Sequence, residues 1–180
     1  MSGPLAHLSV ERQRTLLRTS MVATAALLMV ITVLGMPLRT GAAPLGIVSL
    51  QFAASPEAAG LMLASWAGVP RPRLLWAHGL DLVLPVAYAI AIALGAMRAA
   101  RRGRAARRAA RLASGAGVAA AVADQIENVA MGFTMLGTPG WPGVLVTLVA
   151  ATIKSSLLVI AVGALLAASS AARRARAVVP

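Results

Sequence analysis

The chain has 180 residues, of which 59% are hydrophobic and 12% charged, with 17 basic residues against 5 acidic ones and a formal net charge of +12. Soluble domains run at about 45–50% apolar and about 25% charged, so this balance excludes a disordered chain, a coiled coil and an ordinary cytosolic enzyme. With no cysteine and only two histidines, His7 and His78, a disulfide framework, a thiolate metal site and a three-histidine zinc site are excluded as well.

Four stretches are long enough to cross a hydrocarbon core, which takes about 20 helical residues. The expected architecture is therefore an all-α, four-transmembrane-helix bundle. A cytoplasmic arm over residues 1–19 leads into a first span at 20–38. Arg12, Arg14 and Arg18 before this span also suit a signal peptide, but the apolar run is long for one and Arg39 interrupts any cleavage site. An outer segment at 39–73 follows, in which Ser55-Pro56-Glu57 predicts a helix over 56–67, with Ser as N-cap and Pro at the first position. Before it, Leu45 to Ala54 is apolar apart from Ser49 and Gln51 and too short to span, which predicts a re-entrant or interfacial element.

The second span is expected at 74–97, a basic cytoplasmic loop at 98–111 and the third span at 112–136. Gly137-Thr138-Pro139-Gly140 predicts a tight turn into the fourth span at 141–168, and residues 169–180 form a cytoplasmic tail. Outside the spans, thirteen basic residues fall on one side and three on the other. The positive-inside rule then places both termini in the cytoplasm of a multi-pass protein of the inner membrane. Arg98, Arg101, Arg102, Arg104, Arg107, Arg108 and Arg111 report this topology and suit anionic lipid head groups. No aromatic residue is interleaved with them, so they do not read as a nucleic-acid site.

Ionisable groups inside a span are costly and mark candidate sites. His78, Asp81, Pro85 and Tyr88 share one face of the second span at 3.6 residues per turn. Asp124, Glu127 and Asn128 share a face of the third with Gly117, Ala120 and Ala121, and small residues there let a neighbouring helix approach closely. Lys154 shares a face of the fourth with Gly143, Thr147 and Ala150. At 1.5 Å per residue, Lys154 and Asp124 each lie roughly 18–20 Å into their spans. The expectation is an outward-facing polar pocket formed by His78, Asp81, Tyr88, Asp124, Glu127, Asn128 and Lys154. Its three carboxylates and one ammonium sum to a net −2 if all are ionised, which a low-dielectric site will not hold unpaired. On TM1, Thr24 and Thr32 are expected to bond backbone.

Taken together, Ser55 to Trp66, Asp81 with Tyr88, Asp124-Gln125-Ile126-Glu127-Asn128 and Lys154 resemble a group of small, uncharacterised bacterial four-helix membrane proteins. The resemblance covers Leu45 to about Leu158 and implies an architecture without a known activity. Three functions fit the residues. The pocket binds or translocates a proton, a cation or a small amine-bearing ligand; it serves an enzyme acting on a lipid or isoprenoid-like substrate; or its charges only fix helix packing. Four spans are few for a transporter, so the first function calls for a homo-oligomer or a larger partner. The residues leave the cofactor open, and no nucleophile elbow, phosphate-binding loop or metal-ligand cluster is recognised among them.

Overall fold

A computed structural model describes residues 9–101 and 104–177, with side chains through 171. The described residues are all helical or loop, with no strand. Six α-helices follow in order: α1 (Val10–Gly35), α2 (Ile47–Gln51), α3 (Pro56–Ser65), α4 (Arg71–Ala100), α5 (Arg104–Leu136) and α6 (Trp141–Ala177), with a 3-10 turn at Met36–Leu38.

Three helical stretches are long and apolar enough to cross a membrane: Val10–Leu38, Arg71–Ala100 and Trp141–Ala171. The four spans expected from sequence are thus three by this measure. The third expected span, 112–136, falls short because Asp124, Gln125, Glu127 and Asn128 lie among small residues that add little hydropathy.

Elements also extend past their expected ends. The arm at 1–19 is already helical from Val10, and the segment read as a basic loop at 98–111 is largely the end of α4 and the start of α5. Arginine and alanine are both strong helix formers, so Arg104 to Arg111 continues a helix that hydropathy alone would end. Arg102 of that segment lies outside the described residues, as do His7 and the last residues of the tail.

Contacts divide the chain into two compact units: Met1–Thr24 with Val86–Ala121 and Ser155–Pro180, and Ala25–Pro85 with Val122–Lys154. The first has a core of alanines, including Ala96, Ala99, Ala110, Ala113, Ala164 and Ala168. At Gly117 an added Cβ would lie 2.8 Å from the Ile92 side chain, so α4 and α5 approach there only because that position carries no side chain. Thr24 bonds the Ser20 carbonyl at 2.7 Å, as Thr32 of the second unit bonds that of Leu28.

The second unit has a larger-residue core in which Leu38, Ile47, Leu50, Trp66, Met131 and Val144 pack together. Ser55 caps α3 as expected, accepting from the Ala58 N–H at 3.2 Å, with Pro56 at the first turn. The last carbonyls of α1 have no partner within their own helix. Arg73 of α4 supplies one, donating from Nε to Leu34 O at 3.0 Å and from Nη2 to Val33 O at 2.9 Å. Trp66 Nε1 does the same for Leu38 O at 2.7 Å. The apolar stretch before α3 forms the short helix α2, whose Ile47, Leu50 and Gln51 are buried.

Candidate functional site: a buried carboxylate–lysine cluster

The cluster is built on α4, α5 and α6 within the second unit. Lys154 Nζ lies 2.6 Å from Glu127 Oε2 and 3.2 Å from Asp124 Oδ1, so one ammonium is gripped by two carboxylates a turn apart on α5. Glu127 and Asn128 are fully buried, and Asp124 and Asp81 nearly so. The i, i+3 spacing of Asp124 and Glu127 puts both on the face that meets Lys154.

Asp81 is joined through its backbone. Pro85 sits inside α4 and has no N–H, so the carbonyl four residues earlier loses its helical partner. That carbonyl belongs to Asp81, and Asn128 Nδ2 donates to it at 3.1 Å while standing 3.4 Å from Asp124 Oδ1. One amide thus repairs the break in α4 and touches the Lys154 cluster. Gln125 adds a second bond to α4, donating to Leu82 O at 2.7 Å. The carboxyl of Asp81 lies within electrostatic range of Asp124, Glu127 and Lys154.

His78 stands one helical turn before Asp81. Its ring bonds the Asn128 backbone, and the position of a Cβ on Gly132 would be only 2.9 Å from its Nε2. Only glycine leaves room for the imidazole at that point on α5. Nδ1 of the ring is buried without a hydrogen-bond partner, as are Glu127 Oε1 and Asn128 Oδ1. The two oxygens are acceptors.

Six of the seven residues expected to share a site therefore lie in one unit: His78, Asp81, Asp124, Glu127, Asn128 and Lys154. Tyr88 is buried but belongs to the other unit. Sequence reading overlooked three contributors. Gln125 was hidden by its place between the face residues, Gly132 by its having no side chain to read, and Pro85's effect by its acting four residues away. The last was available as a signal, since a proline in a span always frees the carbonyl at i−4.

No family model, curated protein or solved structure matches the chain. Function is therefore read from these side chains alone.

Proposed function

We propose that the chain is a multi-pass protein of the bacterial inner membrane in which α5 is a fourth crossing. Its Lys154 cluster takes up a proton, a small cation or a compact amine. Support for the fourth crossing comes from the inverted polarity of α5. Val122, Ile126, Val129, Phe133 and Leu136 are exposed along one stripe, while Asp124, Glu127 and Asn128 are buried on the other side. A helix facing water shows the opposite pattern, so this stripe suits lipid. Within 112–136 the acids and the amide that lower hydropathy, Asp124, Glu127 and Asn128, lie on the covered face.

The observation that carries the ligand reading is the sign of what is left over. Two carboxylates grip one ammonium while a third, that of Asp81, lies within electrostatic range, and the unpartnered buried oxygens of Glu127 and Asn128 are acceptors. A species that brings positive charge and hydrogen-bond donors satisfies both at once. The close packing of Glu127 and Asn128 favours a proton or bare cation over a larger molecule.

Proteoliposomes carrying a pH-sensitive dye, or dyes for sodium and potassium, test this. The wild-type chain should dissipate one imposed gradient, and Glu127→Gln should abolish that flux while keeping its helical content. Equal flux in the variant, or no flux of a proton, sodium, potassium or methylammonium in the wild type, overturns the reading.

A structural role is the second reading, favoured by one observation: Asn128 and Gln125 both spend their amides on α4 carbonyls. Under that reading, loss of Lys154 destabilises the fold and no flux exists to lose.

A further inference from the structure

The other unit contains a basic cavity that the carboxylate cluster does not use. It measures about 270 Å³ and is walled by Gln13, Arg14 and Leu17 of α1 and by Leu94, Arg98 and Arg101 of α4. Arg101 donates from Nη2 to the Oε1 of buried Gln13 at 2.6 Å. That bond orients the guanidinium without neutralising it. Among the described residues none of these three arginines forms an ion pair within 4.0 Å; the nearest acid in sequence is Glu11, one turn before Arg14 on α1.

A second cavity of about 390 Å³ shares Leu17 and Arg98 with the first and continues between Met21, Ile92 and Leu165. Apart from Arg98 and Ser169 its walls are apolar. Both helices lead the same way. Met21 comes two turns after Arg14 on α1, and Ile92 lies nearly two turns before Arg98 on α4. Each step runs from the arginine-bearing end of an apolar helix toward its middle.

We propose that the two cavities together hold one anionic phospholipid. Arg14, Arg98 and Arg101 take its phosphate, and one acyl chain lies in the groove past Leu17, Met21, Ile92 and Leu165. Guanidinium groups bind phosphate oxygens in a forked, charge-assisted geometry that an ammonium cannot copy. Basic pockets between helices at the cytoplasmic leaflet are where acidic head groups bind. A freely dissolved phosphate would use the arginines but not the groove, whereas an amphiphile uses both. The site therefore gathers on α1 and α4 rather than spreading along the basic segment from Arg98 to Arg111.

Native mass spectrometry of the full chain released from maltoside micelles tests this, with dioleoyl phosphatidylglycerol and dioleoyl phosphatidylcholine as probes. Phosphatidylglycerol should be retained in preference, and Arg98→Gln and Arg14→Gln should each weaken its binding about fivefold. Both side chains are exposed, so these variants keep the fold, which circular dichroism checks. Ala91 also lines the groove, and filling it with Ala91→Trp should weaken dioleoyl but not dihexanoyl phosphatidylglycerol. Equal retention of the two head groups, wild-type binding by both arginine variants, or insensitivity of the dioleoyl lipid to Ala91→Trp overturns the proposal. Displacement by inorganic phosphate at equal concentration also overturns it, by assigning the arginines to a free anion.

Discussion

Lys154 is the residue on which the acidic cluster depends, because both carboxylates on α5 turn their buried oxygens to it. Removing one member of a buried ion pair leaves an uncompensated charge and costs about 3–5 kcal/mol. Lys154→Met should therefore unfold in mixed micelles at a markedly lower denaturant level, and adding Asp124→Asn and Glu127→Gln should recover most of the loss. Failure of the triple variant to recover would mean that the ammonium's packing, not its charge, matters. His78 gives a second test at this scale. Gly132→Ala puts a methyl carbon only 2.9 Å from the ring's Nε2, and crowding of this kind costs about 1–3 kcal/mol. His78→Ala should relieve that cost in the double variant. Most of the site could be read from the chain: six polar residues on three helical faces pointed to one cluster, and depth at 1.5 Å per residue brought Asp124 and Lys154 level. What periodicity could not supply was pairing. A shared face does not say whether Asp124 or Glu127 meets Lys154, and in the structure both do.

Among the elements, α4 carries an internal break that a neighbour repairs. Pro85 strips the Asp81 carbonyl of its own helical bond, and Asn128 replaces it at 3.1 Å. Asn128→Leu should cost about 1–3 kcal/mol as the carbonyl becomes unsatisfied. Pro85→Ala restores an N–H to that carbonyl, so the double variant should lose less than the two singles together. A double-mutant cycle reads this as a coupling of about 1 kcal/mol, and additivity would show that the Asn128 bond does not compensate for the proline. The cap of α3 makes a simpler test. Ser55 bonds Ala58 N–H, and its hydrogen bond to the Glu57 carboxylate holds that acid below the usual glutamate range. A lowered folded-state value means that the contribution of Glu57 is present above the ordinary glutamate range and fades as pH falls through it. Ser55→Ala should cost about 1 kcal/mol at neutral pH and should flatten the small acid-side loss of stability. This cap was legible because Ser-Pro-Glu is a local signal. The ends of α1, α4 and α5 were not, because hydropathy marks where a helix leaves lipid and not where its hydrogen bonds stop.

At the scale of the whole molecule, the question is whether α5 crosses the membrane, since that decides on which side the chain ends. Average hydropathy selects three helices, and an odd number of crossings would put the two ends of the chain on opposite sides. The distribution of arginine argues for four. Placing α5 across the bilayer leaves thirteen basic residues on one side and three on the other, whereas a peripheral α5 leaves its own amino-terminal arginines on the same side as the turn at 137–140. The buried carboxylates agree with the crossing, because Asp124 and Glu127 are covered by protein and the face left outside is Val122, Ile126, Val129, Phe133 and Leu136. The cost that hydropathy assigns to these acids is therefore not met in lipid. A chain without cysteine makes this directly testable, since a single introduced thiol has no background. Thr138→Cys, between α5 and α6, should react with a membrane-impermeant maleimide in intact spheroplasts. Arg108→Cys, near the start of α5, should react only after the membrane is permeabilised. Labelling of both in intact spheroplasts, or of neither, would place the two ends of α5 on one side of the membrane. In that case the Lys154 cluster would lie outside the bilayer core, and its excess of carboxylates would need no cation from across the membrane.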